Sequence, residues 1–264
     1  MRFLLEPVGP PSLAALTDAA TAARESGLDG IYLTESVALP APLIAAAALA
    51  GRVEDVLVAA EIGLGDRHPL EVAEEAAVTD LALNGRLILV ARPATDDLSR
   101  FGEALDIVRL ACTPKPFRFE GTHWQVPANL PENVWLPEEQ VRQMPGPPLA
   151  RLELWTAGAA ARPLAIERGL GHVIGSGDDP TAGLAHLNAA SELGPRARRE
   201  QLADPLALVE RLRAGREWGQ DWAVVSAPAS AAPELGSVVR PRVQMHRLSP
   251  GLEAFWDAER PWAQ

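Results

Sequence analysis

Cysteine is almost missing from this 264-residue chain, where Cys112 stands alone. One cysteine excludes a disulfide or a thiolate metal cluster within a single chain. It fits a reducing compartment, with the cytoplasm as the expected location. Aromatic residues are scarce, at 5%, so alanine and branched aliphatics must fill the interior, which suits helices packed closely on a sheet. Basic residues are outnumbered, 24 Lys and Arg against 35 Asp and Glu, for a net charge of −11. A nucleic-acid partner gripped through its phosphates is therefore not expected. Spanning a bilayer takes ~20 apolar residues, and the run APLIAAAALAG stops at Arg52. The start, MRFLLEPVGPPS, lacks the apolar core of a signal peptide. No Walker, G-x-S-x-G or Cys-His pairing signal is present, and the five histidines show no ligand spacing, so no metal site is expected.

What is present is enough to fold. Hydrophobic residues make up 47% and charged residues 22%, which excludes compositional disorder. The clearest stretch is GDRHPLEVAEEAAVTDLALNGR, beginning at Gly65. Pro69 suits a first helical position, Asp66 or His68 can cap it, and Asn84-Gly85 stops it. Val72, Ala73, Ala76, Ala77 and Leu81 share one face, with Glu71, Glu74, Glu75 and Asp80 mostly on the other. VLVAAEIGL precedes this helix and RLILVA follows it, a strand-helix-strand unit of parallel-crossover length.

The same alternation runs along the chain. RFLLEPV and GIYLTE read as the first two strands, joined by a helix capped at Ser12 with Leu13, Leu16, Ala19, Ala20 and Ala23 inward. A helix over 97–111 should bury Phe101, Leu105, Val108 and Leu110, and one over 204–215 should bury Leu206, Val209 and Leu212. LELWTAG, HVIGSG and DWAVVSAP are further strands. Before them, 113–151 is a Pro-rich excursion holding Trp124 and Trp135, which serve either as a lid or as anchors of the loop. Seven strands are legible, while 181–203 reads as helix and Arg-rich linker. The expectation is a single α/β domain over 1–264, a TIM-type (β/α) barrel with one strand missing or irregular.

Three stretches carry a family resemblance: AARESGLDGIYLTES, RHPLEVAEEAAVTDLALNGRLIL and FGEALDIVRLACTPKPFRFEGTHW. In this order they resemble the luciferase-like flavin-dependent monooxygenases, TIM barrels that include FMN and deazaflavin (F420) enzymes. The resemblance implies FMN or F420 at the C-terminal mouth of the barrel, a small-molecule substrate and a homodimer, for which the Ala-rich second and third helices offer close-packing faces. It implies that the phosphate end of the cofactor lies on Thr156, Ala157, Gly158, Ala159 and Ala160, where small residues and helix-start N–H groups favour an anion. The ring would lie over strand ends that include Glu35, Glu61, Gly63, Ala91 and Arg92.

Glu35 and Arg92 are the candidate catalytic residues. Glu35 could move a proton or orient the flavin, or be a strand-end partner of an arginine. Arg92 could offer charge to an anionic flavin or substrate. Glu61 interrupts an apolar run, so it is either functional near the strand end or bound to an arginine. His68 reads as a helix-start residue, and His172 and Cys112 as structural. The chain lacks the Glu-His-His type sequence that many members carry after the second strand, reading Glu35-Ser36-Val37 instead. Two functions follow: a flavin-dependent or F420-dependent oxidoreductase, oxygenating or transferring hydride, or a barrel without catalysis that acts as a binding subunit.

Overall fold

The computed structural model describes residues 1–9, 12–127, 152–175, 178, 194–217 and 219–245. In chain order the strands are β1 (Arg2–Pro7), β2 (Gly30–Thr34), β3 (Leu57–Leu64), β4 (Leu87–Pro93), β5 (Phe119–Glu120), β6 (Gln125–Val126), β7 (Glu153–Ala157), β8 (Gly171–Ile174), β9 (Arg196–Gln201) and β10 (Trp222–Ala227). β5 and β6 form a small antiparallel hairpin. The other eight close into a parallel barrel in the order β1-β2-β3-β4-β7-β8-β9-β10. This is a TIM-type α/β fold. Among the described residues, no helix is long and apolar enough to cross a membrane.

The helices around it start where side chains can take up loose backbone N–H groups. In α1 (Leu13–Glu25) Ser12 accepts from the Ala15 N–H, and in α3 (Pro69–Ala82) His68 accepts from that of Leu70. Asp97 caps α4 (Leu98–Ala111) through the Ser99 and Arg100 N–H groups. The ring is continued by α2 (Pro42–Leu49), α5 (Arg162–Arg168) and α6 (Pro205–Glu217). A last helical stretch runs through α7 (Ala232–Glu234), a π-helical turn (Leu235–Val239) and α8 (Arg240–Met245).

The barrel is complete, and the missing strand is β9, RARREQ, in the region read as linker. Its charges hid it. A strand is recognised by apolar alternation, but here only Ala197 joins the barrel interior. Arg199 meets Glu61 and Glu6 on the inner face. On the other face Glu200, only 2% exposed, pairs with Arg198 and with Arg211 of α6.

Several helix faces also differ from expectation. Leu81, Leu110, Leu206 and Leu13 are exposed, and Leu208 is the buried residue of α6 in place of Leu206. Asp80 is buried, because its carboxylate accepts from the Leu87 N–H and so ties the end of α3 to β4. Burial raises the Asp80 pKa above its ordinary value and the Leu87 N–H opposes that rise, so this backbone tie is made against a desolvation cost.

In the 113–151 excursion, Glu103 of α4 accepts from the N–H groups of Thr122, His123 and Trp124 at 2.8, 2.8 and 3.1 Å. Burial opposes the Glu103 charge, but these donors hold its carboxyl below the ordinary value. Trp124 stacks edge-on against His68 and lies under Arg100, so it anchors the loop to the barrel. Trp135 lies outside the described residues.

Two layers of packing separate structure from site. Between helices and sheet lies the main core. Inside the barrel are Leu4, Tyr32, Ala59, Ile88, Val90, Trp155, Ala157, Val173, Ala197, Trp222 and Val224. Trp155 and Trp222 meet edge to face at 4.9 Å and close the lower end. Gly171 makes room for them, since a Cβ there would lie 2.1 Å from Cδ1 of Trp155. Gly171→Ala is accordingly expected to lower stability by about 1–3 kcal/mol, read as a lower urea midpoint; an unchanged midpoint would show that the indole can move aside.

Candidate active site

In a (β/α) barrel the C-terminal strand ends surround the mouth, and here the polar inward residues gather there. Glu61, near the end of β3, is 4% exposed. Its Oε2 accepts from the Tyr32 hydroxyl and from Arg199 Nη2, both at 2.6 Å, and its Oε1 lies 3.6 Å from Arg92 Nε. Arg92 Nη2 reaches Glu35 Oε2 at 2.9 Å, and the same oxygen accepts from the Gly63 N–H at 2.6 Å. On the opposite flank Glu6 accepts from Thr34 Oγ1 at 2.5 Å and from the Ser226 hydroxyl, with Arg199 Nε 3.3 Å away. Three carboxylates and two guanidiniums thus form one network across β1, β2, β3, β4, β9 and β10, with one negative charge in excess.

Burial and the neighbouring charges displace two of its groups, Tyr32 and Arg199. Burial, then the Glu61 charge, raise the Tyr32 phenol well above its ordinary value, so it stays a donor to Glu61. Burial works against the Arg199 charge, but Glu61, Tyr32 and Glu6 raise its pKa all the same. Its guanidinium also lies 5.0 Å over the Tyr32 ring.

The structure brings Glu35, Glu61, Gly63 and Arg92 together, and Glu61 proves to be both arginine-bound and at the mouth. Glu35 and Arg92, with side chains 32% and 38% exposed, form the rim, whereas Glu61 is floor. The charge of Arg92 is already shared between two carboxylates of its own chain.

β7 pairs beside β4 with Ala91 opposite Thr156, which sets the turn after β7 next to Arg92. Gly158 has φ 89° and a Cβ on it would meet nothing within 4 Å, so backbone is open to an approaching group there. Gly158, Ala159 and Ala160 are exposed, while the Gly158 N–H is taken by the Val173 carbonyl at 3.3 Å. Two side chains point elsewhere. Ala91 packs in the outer core, and Thr156, fully buried, bonds His172 Nδ1 at 2.7 Å, so the backbone is what these positions present to the mouth. Ala157 lines the barrel interior.

Glu6, Tyr32, Arg199 and Ser226 escaped the sequence reading. Glu6 carries the same mark as Glu61, a carboxylate at the C-terminal end of an apolar strand. Arg199 becomes visible only once RARREQ is read as a strand.

A larger cavity, about 660 Å³, opens at the other end of the barrel between α4 and the starts of β7 and β8. Its Cys112 thiol is pushed up to about 12 by burial, then by Asp80, which favours the protonated thiol. Among the described residues, the convergent polar groups lie at the mouth and not in this cavity.

A sequence profile for "Luciferase-like monooxygenase" matches residues 3–209. The chain belongs to the luciferase-like monooxygenase family. No curated protein matches it in sequence. Among solved structures, this luciferase-like barrel is similar to the oxygenating constituent of 3,6-diketocamphane monooxygenase from the CAM plasmid of Pseudomonas putida, in complex with FMN. The identity is 15%, 92% of this chain and 99% of that one are covered, and the TM-score is 0.68. It is also similar to an F420-dependent secondary alcohol dehydrogenase in complex with an F420-acetone adduct, at 12% identity, 92% and 99% coverage and a TM-score of 0.67. A third is the coenzyme F420 dependent tetrahydromethanopterin reductase from Methanopyrus kandleri, at 11% identity, 92% and 99% coverage and a TM-score of 0.61. At these identities the likeness is one of fold.

Behind the Gly158 turn, burial and then the Arg162 charge lower the His172 imidazole to about 4, with Asp178 opposing. The native state keeps His172 neutral while the unfolded chain protonates it near its ordinary value, so protons favour unfolding. The part of the stability that depends on His172 should be unaffected above about pH 6.5, fall as pH drops below that, and level off near pH 4, a loss of about 3 kcal/mol. Urea unfolding from pH 7 to pH 4 should show His172→Gln losing this part of the slope; identical slopes in variant and parent would contradict the assignment.

Proposed function

We propose that this luciferase-like protein is an oxidoreductase that binds FMN or F420 across the mouth of its barrel and acts on a small organic substrate. The observation that supports this most is the juxtaposition of an internally paired polar floor, Glu61 with Arg199 and Arg92, and an open Gly158–Ala160 turn at the same end of one barrel. The residues fit such a cofactor. Small exposed groups at Gly158, Ala159 and Ala160 allow a phosphate close to the backbone, and the floor is polar without a protruding side chain that lacks its own partner.

When bound, the reduced cofactor supplies either hydride for the substrate or electrons for oxygen. The chain supplies position and charge. Glu35, steered by Gly63 and Arg92, is the rim carboxylate that contacts the ring or substrate and can take or give a proton there. Arg92 holds the Glu35 carboxylate in place through Nη2. Glu61, Tyr32 and Arg199 keep the floor rigid beneath them.

A second reading, a binding subunit without catalysis, is favoured by one feature: both mouth guanidiniums are neutralised within the chain. The protein is proposed to act in the cytoplasm as a homodimer, its neighbouring helices α2 and α3 meeting a second copy through the exposed Ile44, Val78 and Leu81.

Fluorescence titration of the purified protein with FMN and with F420 tests the cofactor assignment. One of the two should bind, the exposed variant Ala160→Glu should weaken binding at least tenfold with unchanged melting, and Glu35→Gln should bind yet turn over slowly. Sedimentation of the same samples should show dimers. Binding of neither cofactor would overturn the reading; binding without any turnover by the parent protein would favour the second one.

A further inference from the structure

A second feature of the mouth is not explained by a cofactor. On the β1–β2 side, a cleft of about 290 Å³ runs from the barrel rim toward the start of α1. This has room for about ten water-sized groups. Most of its wall is apolar, including Pro7, Ala15, Leu16, Ala19, Leu33 and Leu39, and at its polar end stand Glu6, Tyr32 and Thr34.

The polar end has a definite chemical sense. Glu6 is oriented by the Thr34 and Ser226 hydroxyls and by Arg199 Nε at 3.3 Å. An ionised carboxylate offers about four acceptor sites, so Glu6 can receive one further donor. The Tyr32 hydroxyl is committed to Glu61. Arg199 is the one guanidinium that reaches Glu6 and it is shared with Glu61, so this end is carboxylate-rich, and among the described residues that line the cleft there is no Lys or Arg to pair with an incoming anion. A hydroxyl or ammonium group would be attracted.

We infer that this cleft is the substrate pocket and that it takes a compact, largely apolar molecule bearing a hydroxyl or amino group, which donates to Glu6, and that it rejects the corresponding carboxylic acid. The inference rests on the proposed redox function of the mouth and adds the substrate class; the binding experiment separates the two.

Hexanol, hexylamine and hexanoate are matched probes that differ only in the end group. Isothermal titration and saturation-transfer NMR on the whole protein, with and without FMN or F420, should show hexanol and hexylamine bound and hexanoate at least tenfold weaker at pH 7. Ala15→Phe, a change at an exposed position of α1 that lines the cleft, should abolish binding of both ligands and leave cofactor affinity and melting unchanged. Glu6→Gln should reduce the preference for hexylamine over hexanoate at least tenfold. Hexanoate binding as tightly as hexylamine, or probe binding that survives Ala15→Phe, would overturn the inference. Cofactor binding without probe binding would defeat the cleft alone, and probe binding without cofactor binding would defeat the redox reading while leaving the cleft.

Discussion

Everything at the mouth of this barrel depends on the burial of Glu61 against Arg199. A carboxylate that is 4% exposed cannot stay charged without partners, and Arg199 supplies one at 2.6 Å from a strand far along the chain. The pair fixes the inner face of β3 against that of β9, and through Glu6 and Thr34 it extends to β1 and β2. Such a pair costs desolvation and need not add net stability, but losing one partner leaves a buried charge unanswered. The interior below it, from Tyr32 down to Trp155 and Trp222, is apolar and filled. Chemistry is thereby confined to one end.

That confinement is what gives the luciferase-like assignment physical content. The fold alone does not specify an activity. This chain has a floor whose charges are paired within the protein, a part-exposed rim of Glu35 and Arg92, and an open backbone turn beside them. Preorganised groups of this kind avoid reorganisation when a charged or polar group binds. The excess of carboxylate over guanidinium on the Glu6 side and the small backbone surface at Gly158 divide the mouth into regions of different chemical preference.

Much of this was legible in the sequence. The caps at Ser12 and His68, the stop at Asn84-Gly85 and the strand-helix periodicity gave seven strands and their order. Glu35, Glu61, Gly63 and Arg92 could be placed together because strand ends in a parallel barrel share one side. What was hidden has a common cause: polar residues whose partners lie on other elements of the fold. β9 could not be read by hydrophobic alternation because Arg199 finds its partners on β1 and β3 and Glu200 finds one on α6. Asp80 was placed on the solvent face although a backbone N–H seven residues on claims it. Thr156 was expected at the mouth, but strand parity and His172 turn its side chain outward.

The most direct test of the central role of Glu61 and Arg199 is a double-mutant cycle on Glu61→Leu and Arg199→Met, read by urea unfolding at pH 7. Each single change should cost about 3–5 kcal/mol by leaving the other charge short of its nearest partner, and the double variant should cost clearly less than the two single losses added together. Effects that instead add to within about 0.5 kcal/mol would mean that the two residues act independently and that the mouth is organised by something else.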